Sequence, residues 1–280
     1  MILDADTGLY CVFGRPVSHS LSPRMHNALF RHYRLNAVYL AFEPPSIAEA
    51  VSAMRALSMP GASVTIPFKE AVLPLLDRID PLAAEIGAVN TIRNQSGILT
   101  GYNTDGEGAL DALRRQGVET ASARALVIGN GGSARAIAFT LMREGVPVTI
   151  AGRNPERISA LAAALSRGPH KAAHLHIPEL TPGITAEFDI VINTTPVGME
   201  PDVEGCPIDP ALIHPHHAVL DIIYAPEQTR LVGAALAAGC RIAYGKDMLV
   251  CQGARQFTIW TGLEAPLDVL YGAITRAIHG

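Results

Sequence analysis

The stretch that most constrains the fold runs from position 125 to 154 and reads ALVIGNGGSARAIAFTLMREGVPVTIAGRN. An apolar strand pattern ends in a glycine turn, an amphipathic helix follows, and a second apolar strand completes the unit. Glycines let an anion approach the main chain, and a helix N-terminus offers it N–H groups and the positive end of a dipole. A βαβ unit of this kind predicts a dinucleotide-binding fold, with a tight structural turn as the alternative.

The glycines of the turn are Gly129, Gly131 and Gly132, and Ala134 stands where GxGxxG would place its last glycine. The pattern tolerates alanine, since that position needs only a small residue for close packing of helix on strand.

The end of the second strand indicates which nucleotide binds. It reads AGRNPER, with no acid at the tip of the strand for a ribose 2′-hydroxyl, and it includes Arg153 and Arg157. Guanidinium groups suit a 2′-phosphate, so we expect NADP, with NAD possible. The alternative is that both arginines are solvent-facing residues at a helix start.

Strand and helix patterns alternate along most of the chain, which predicts an α/β protein with parallel sheets covered by helices. The predicted strands span 9–14, 37–42, 62–67, 87–92, 125–129, 146–152, 189–195, 218–224 and 241–245, and the predicted helices span 23–34, 46–58, 106–116, 133–144, 155–166, 228–238, 247–262 and 266–278. The segment RNQSGILTGYN predicts two short strands around a glycine turn. We place a domain boundary near residue 105.

Composition excludes several classes of protein. The 280 residues are 49% hydrophobic and 17% charged, which is typical of a soluble globular protein. The net charge of −4 and the lack of a basic tract argue against nucleic-acid binding. No apolar run reaches the roughly 18 residues of a membrane span, and the N-terminus lacks the basic stretch of a secretory signal. Four cysteines without metal-ligand spacing predict free thiols in the cytoplasm and no metal site.

A second informative stretch is GASVTIPFKE, where an alternating strand pattern ends in Pro67 and Lys69. By itself, Lys69 is most simply a solvated surface residue.

The whole chain, however, resembles the shikimate dehydrogenase family (shikimate/quinate 5-dehydrogenase). The matching stretches are GRPVSHSLSPRMHN, VTIPFK, GAVNT, NTDG, GNGGSAR, GRN, INTTPVGM and GKDMLVCQ. The resemblance implies reversible, NADP-dependent reduction of 3-dehydroshikimate to shikimate, in the biosynthesis of chorismate and aromatic amino acids.

The implied architecture is an N-terminal α/β substrate domain plus a Rossmann-like dinucleotide-binding domain, with the active site in the cleft between them. We assign residues 1–105 and 247–280 to the substrate domain and 106–246 to the NADP domain.

By resemblance, Lys69 is the catalytic lysine and Asp105 its partner. Oxidation of an alcohol needs a group that takes the hydroxyl proton near the working pH. A closed cleft lowers the pKa of a lysine, and a neighbouring carboxylate opposes that shift. We assign Lys69 as the general acid/base and Asp105 as its orienting partner; Asp105 as the proton shuttle, or a merely structural ion pair, are the alternatives.

The resemblance also implies a set of substrate-binding residues, which are Ser20, Ser22, Thr65, Lys69, Asn90, Asp105, Tyr224 and Gln252, with Asn103 a further candidate. Hydroxyl and amide groups both donate and accept, as a polyol acid requires. Two alternatives stay open: Ser22 could cap the following helix, and Tyr224 could be a packing residue. For His19 and His26 we expect structural, hydrogen-bonded roles.

The implied cofactor-binding residues are Gly129, Gly131, Gly132, Ser133, Ala134, Arg153, Asn154, Arg157, Thr194, Thr195, Gly245 and Met248. A core position is the alternative for Met248. Two motifs depart from the family pattern: GRN at 152–154 replaces the usual Asn-Arg-Thr, and GKDM at 245–248 replaces Gly-Leu-Gly-Met.

These departures leave other functions open. A paralogue that uses quinate, with NAD or with both cofactors, is one alternative, and a dinucleotide sensor without catalysis is another. The expected state is a monomer or homodimer.

Overall fold

The structure is a computed structural model that describes residues 3–166 and 171–278, so positions 1–2, 167–170 and 279–280 of the predicted domains lie outside it. The chain divides into two compact units. The first contains the residues up to 104 and those from 252 onward, and the second contains residues 105–251. No helix in the described part of the chain is both long enough and apolar enough to cross a bilayer.

The first unit contains a six-stranded mixed sheet in the order β2-β1-β3-β5-β6-β4. Its strands are β1 (Gly8–Phe13), β2 (Ala37–Phe42), β3 (Gly61–Val64), β4 (Arg78–Ile79), β5 (Thr91–Gln95) and β6 (Ile98–Tyr102). Its helices are α1 (Ser22–His32), α2 (Ile47–Ala56) and α3 (Pro81–Ile86). A 3₁₀ turn at Leu73–Leu75 lies between β3 and β4. Strands β1, β2 and β3 run parallel, whereas β5 is antiparallel to both β3 and β6.

The predicted hairpin is confirmed as β5 and β6. Ser96 and Gly97 turn the chain with φ angles of 53° and 88°, the left-handed values that a tight hairpin needs. The predicted strand over 87–92 is wrong in its first four residues, because β5 begins only at Thr91. Asp80 caps α3 by accepting from the N–H of Leu82, and Gly87 ends that helix with φ 72°, so Gly87 is a helix stop.

The second unit contains a six-stranded sheet that is parallel throughout, in the order β12-β11-β10-β7-β8-β9. Its strands are β7 (Ala125–Ile128), β8 (Val148–Gly152), β9 (Ala173–His176), β10 (Ile190–Asn193), β11 (Ala218–Asp221) and β12 (Arg241–Ala243). Its helices are α4 (Asp105–Arg115), α5 (Gly132–Arg143), α6 (Pro155–Leu165), α7 (Pro182–Thr185) and α8 (Arg230–Ala238). Helix α9 (Gly245–Thr261) runs from this unit into the first, where α10 (Leu267–Ile278) follows.

This strand order is that of the doubly wound dinucleotide-binding fold, which confirms the predicted fold class. Apolar side chains from both faces of the sheet form two buried clusters. One includes Ile137, Leu141 and Ile158 from α5 and α6, and the other includes Leu231 and Val232 from α8. Ligands bind such sheets beyond the carboxyl ends of the strands, where the strand order reverses. Here that point lies between β7 and β10.

Strand β9 was not among the predicted strands. Its four residues, AHLH, form the outer edge of the sheet beside β8, and His174 is exposed. An edge strand with polar, exposed positions lacks the apolar run by which buried strands are recognised.

Candidate active site

The serine segment follows β1 in the first unit. Ser22 is the first residue of α1 and is buried, and Leu21 at the N-cap makes no side-chain capping bond. The alternative that Ser22 caps the helix is therefore wrong. Instead, the main-chain N–H of Ser22 donates to Ser20 Oγ over 3.3 Å. This bond brings the two predicted substrate serines together at the start of α1.

Thr65 and Lys69 follow β3 at the same edge of the sheet. The N–H of Thr65 donates to Phe13 O and that of Arg15 donates to Ile66 O, each over 2.9 Å, so the chain segments after β1 and β3 run side by side. A Cβ at Gly14 would lie 2.2 Å from Thr65 Cγ2, so glycine is required for this approach. Lys69 lies in a turn and is partly buried, so it is not a fully solvated surface residue.

Asn90 precedes β5 and has several fixed hydrogen bonds. Its Oδ1 accepts from Thr91 Oγ1 over 2.7 Å and from the N–H of Thr104 over 2.9 Å. Its Nδ2 donates to Thr104 Oγ1 over 2.9 Å and lies 3.5 Å from Oε1 of Gln252 on α9. Two predicted substrate residues are therefore neighbours. Asn103, by contrast, donates to Ala88 O over 2.9 Å.

A buried chain of hydrogen bonds holds the main chain of Asn90. The hydroxyl of Tyr39 donates to Ser63 Oγ over 2.6 Å, and Ser63 donates to Gln256 Oε1 over 2.7 Å. Nε2 of Gln256 then donates to the carbonyl of Asn90 over 3.2 Å. Burial raises the pKa of Tyr39 well above its usual value, so this hydroxyl stays a donor. The sequence analysis missed this set, because its members are far apart in the chain.

The two histidines differ. His19 is exposed. The ring of His26 is buried, stacks on Tyr39 at 4.5 Å and makes no hydrogen bond through either nitrogen, so the expected hydrogen-bonded role is wrong for it. Burial lowers the pKa of His26 to about 3; the nearby amide of Gln256 opposes this shift without forming a bond of good geometry.

In the second unit, Asp105 begins α4 and is buried. Ser133, the second residue of α5, donates its hydroxyl to Asp105 Oδ2 over 3.3 Å. This contact depends on the close approach of α4 and α5. A Cβ at Gly106 would lie 2.4 Å from Ala136 O and 2.0 Å from Thr140 Oγ1, so only glycine fits there.

The predicted phosphate loop connects β7 to α5. Gly129 has φ 124°, and a Cβ there would lie 2.3 Å from Thr194 Oγ1. Gly131 is the N-cap of α5 and provides no side-chain cap, while Ala134 is buried against the sheet. An N-terminus without a side-chain cap, reached by a glycine turn, fits a diphosphate.

The chain after β10 supports this loop. The hydroxyl of Thr194 donates to Ile128 O over 2.7 Å. The N–H and hydroxyl of Thr195 both donate to Asn193 Oδ1, over 3.0 and 2.8 Å. The two predicted threonine hydroxyls therefore hold the strand ends at the reversal point of the sheet.

Asp221 orients this region, and the sequence analysis missed it. Its carboxylate is fully buried and accepts from Asn193 Nδ2 over 3.0 Å, from Thr229 Oγ1 over 2.6 Å and from the N–H of Ile223 over 3.1 Å. Burial raises the pKa of Asp221, and these three donors oppose that shift. The available signal was an acid, Asp221, that directly follows the apolar residues AVL in the predicted strand over 218–224.

The remaining predicted residues lie near the end of β11 and the start of α9. Burial raises the pKa of Tyr224 to about 12, so its phenol stays protonated. A Cβ at Gly245 would lie 2.3 Å from Ile223 O, so this glycine lets α9 begin against the main chain after β11. Met248 is buried within the apolar cluster of the second unit, as its core alternative expected.

The residues at the end of β8 form a polar, exposed tip. Arg153, Asn154 and Arg157 are exposed, and Asn154 Oδ1 caps α6 by accepting from the N–H of Arg157 over 2.9 Å. A Cβ at Gly152 would lie 2.6 Å from Ile158 Cγ2. A side chain at the last residue of this strand would therefore require Ile158 to shift.

Among the described residues, no group of three or more His, Cys, Asp or Glu side chains is arranged to hold a metal ion. The arrangement offers a phosphate-binding turn with arginines in the second unit. In the first unit it offers a set of hydroxyl, amide and ammonium groups. Such groups suit a nucleotide and a polar, hydroxylated substrate respectively.

Comparison with known proteins agrees with this geometry. Three family models match: the shikimate dehydrogenase substrate binding domain over residues 12–92, shikimate / quinate 5-dehydrogenase over 111–200, and the shikimate 5′-dehydrogenase C-terminal domain over 245–275. A curated relative from Moorella thermoacetica, named shikimate dehydrogenase (NADP(+)), is 45% identical over 98% of this chain and 95% of its own length.

Two solved structures are also similar. A shikimate dehydrogenase in complex with NADP+ superimposes with a TM-score of 0.93 at 36% identity, over 99% of this chain and 98% of the other. The enzyme from Thermus thermophilus, in complex with NADP(H) and shikimate, has a TM-score of 0.87 at 35% identity, over 96% of this chain and 99% of the other.

Proposed function

This chain belongs to the shikimate dehydrogenase family, and we propose that it catalyses the reversible, NADP-dependent reduction of 3-dehydroshikimate to shikimate in aromatic amino acid biosynthesis. The observation that carries the proposal is the 45% identity to a curated NADP-dependent shikimate dehydrogenase over nearly the whole chain. In this proposal residues 1–105 and 247–280 bind the substrate, and residues 106–246 bind NADP.

The second unit supports NADP as the cofactor. The glycine turn at Gly129 and the start of α5 fit the diphosphate. Gly152 provides no acid for a ribose 2′-hydroxyl, and Arg153 and Arg157 supply guanidinium groups beside it. Two cations, with no acid at the last residue of the strand, favour a 2′-phosphate over a hydroxyl.

The proposed proton chemistry rests on Lys69 and Asp105. A bound NADP+ would supply the hydride acceptor for the alcohol carbon. Lys69 takes the hydroxyl proton as general base in the oxidation and returns it as general acid in the reverse direction. Asp105, whose carboxylate accepts from Ser133, is proposed to orient the lysine.

The proposed substrate residues are suited to a hydroxylated carboxylic acid. Ser20 and Ser22 offer two hydroxyls from one short segment to a carboxylate. The residues proposed to bond the ring hydroxyls are Thr65, Asn90 and Gln252. Tyr224 is proposed to lie near the substrate. Thr91 and Thr104 fix which way the Asn90 amide faces, so its donor and acceptor ends are set before substrate binds.

The test of the function is the initial rate of NADPH formation from shikimate and NADP+, measured beside quinate and beside NAD+. We expect turnover on the order of 1–10³ s⁻¹ with shikimate and NADP+, and much lower rates in the other combinations. Faster turnover of quinate would assign the paralogue activity instead. No turnover with either acid, while NADPH still binds, would assign a sensor.

The role of Lys69 has its own test. Lys69→Met is expected to lower kcat about 10²- to 10⁴-fold, the usual contribution of general acid/base catalysis, while shikimate still binds. Lys171→Met is the matched control, because Lys171 is an exposed lysine whose ammonium group donates to the main-chain carbonyl of Ser166 over 2.7 Å. Equal rates for the two variants would remove Lys69 from the chemistry.

We also propose a cytoplasmic location and a monomeric or homodimeric state. None of the four cysteines, all of which lie in the described part of the chain, forms a disulfide, and this suits a reducing compartment. Light scattering coupled to gel filtration will give the mass in solution, and a tetramer or larger assembly would contradict the second statement.

A further inference from the structure

We propose that His176, at the end of β9, is a positioning residue that sets the preference for NADP over NAD. This inference rests on the proposed NADP-dependent activity, and it adds a residue to the tip formed by Gly152, Arg153, Asn154 and Arg157. No sequence motif pointed to it, because β9 itself was not predicted.

The pairing of β9 with β8 determines where His176 lies. The two strands are parallel, with Ile150 opposite His174 and Gly152 opposite His176. His176 therefore stands beside the last residue of β8, which is the position that distinguishes the two cofactors in this fold. It is partly buried, whereas His174 is exposed and lies two residue pairs further from the tip.

A hydrogen bond joins the histidine ring to the residue that carries the guanidinium. Nε2 of His176 lies 3.0 Å from the carbonyl oxygen of Arg153. A carbonyl only accepts, so Nε2 carries a proton and donates. The main chain of His176 is held in turn, since its N–H donates to the carboxylate of Glu179.

The bond matters because of what surrounds Arg153. Gly152 contributes no side chain that could hold the main chain at the tip, and a Cβ there would collide with Ile158. After it, Asn154 caps α6 and so fixes the following residue. His176 holds the main-chain carbonyl of Arg153, which lies between Gly152 and Asn154. This bond limits the main-chain conformations of Arg153, and so it limits the directions in which the exposed side chain leaves the Cα atom.

A long exposed side chain loses conformational entropy when it binds a phosphate. If its main chain is already held in place, the entropy lost on binding is smaller. The 2′-phosphate is present in NADP and absent from NAD, so the effect should be confined to NADP. The acids nearby, Glu156 on α6 and Glu179, are the same for both cofactors and do not change this comparison.

The experiment compares three variants in the full-length enzyme. His176→Ala removes the bond to Arg153, and His176→Gln restores a donor at the same distance from Cα without an imidazole. His174→Ala is the matched control on the same strand. KM for NADP+ and NAD+ is measured with saturating shikimate, and the Kd of NADPH is measured by fluorescence.

We expect His176→Ala to raise KM for NADP+ and the Kd of NADPH by roughly three- to tenfold, the value of one hydrogen bond, with KM for NAD+ and kcat unchanged. His176→Gln should recover most of the loss, and His174→Ala should match the wild type. An unchanged KM for NADP+ in His176→Ala, an equal rise for NAD+, or no recovery in His176→Gln would each overturn the inference.

These failures are distinguishable from failure of the proposed function. If the wild-type enzyme oxidises shikimate with NADP+ but the His176 variants behave like it, only the role of His176 is lost. If the wild-type enzyme does not use NADP+, the function and the inference fall together.

Discussion

Replacement of Gly106 by alanine adds only one methyl group, but it should lower both the stability of the protein and kcat. Gly106 is the second residue of α4, and atoms of α5 occupy the space that a Cβ at this position would need. A Cβ there would lie 2.4 Å from Ala136 O and 2.0 Å from Thr140 Oγ1, whereas ordinary contacts begin near 3.4 Å. The Thr140 side chain can rotate, but the carbonyl of Ala136 belongs to the helix, so α4 and α5 must separate by about 1 Å.

The cost of this separation has two parts. Overpacking of a close helix contact typically lowers the free energy of unfolding by about 1–3 kcal/mol. Asp105 is the adjacent residue and contacts Ser133 on α5, so the separation also moves its carboxylate. A displacement of about 1 Å in a group that positions a reacting atom can reduce the rate by as much as 10²-fold.

Urea unfolding and steady-state kinetics check the two parts separately. The matched control is Gly233→Ala in α8, because a Cβ at that exposed helical glycine meets nothing within 4 Å. There alanine should stabilise the helix by about 0.5–1 kcal/mol. Gly106→Ala with unchanged stability would refute the packing argument. Lower stability with unchanged kcat would refute the link from this contact to Asp105.

Three further predictions concern buried groups. Burial lowers the pKa of His26 to about 3, so between pH 6.5 and 3 the unfolded chain takes a proton that the native chain refuses, and stability falls as the pH falls. His26→Phe should flatten the dependence of the unfolding free energy on pH by about 1.4 kcal/mol per unit in urea titrations at pH 4–6; an unchanged slope would contradict the burial. Gln256→Leu removes the acceptor of the Ser63 hydroxyl, and the urea midpoint should report a loss of about 1–3 kcal/mol, where no loss would show that a replacement acceptor is available. Gly245→Ala should collide with the carbonyl of Ile223, lowering Tm by a few degrees in calorimetry, and a wild-type Tm would show that α9 can begin elsewhere.

Local patterns predicted a large part of the fold. The glycine turn before α5, the alternation of strands and helices and the Ser96–Gly97 hairpin turn each depend on residues close together in the chain. Such short-range signals remain visible in a single sequence because φ preferences and side-chain periodicity act locally. The errors arose where signals overlap. Gly87 served as a helix stop within a segment that also looked like a strand.

The candidate site was predictable to the extent that motifs mark it. The sequence motifs pointed to Lys69, Asn90 and Asp105, but they gave no sign of what holds Asn90 and Asp105 in place. Thr104 lies 14 residues from Asn90, and Gln256 lies 166 residues from it. No local rule connects such positions.

The sequence by itself determined the class of the fold, the glycine turn before α5 and the identity of the family, because these follow from residue order over short stretches. Only the tertiary structure decided that Gly106 and Gly152 have no room for a Cβ, that Asp221 orients the segment after β10, and that His176 bonds the carbonyl of Arg153. The physical reason is that steric fit and the pairing of buried polar groups depend on which distant segments are packed together. That packing exists only once the chain has folded.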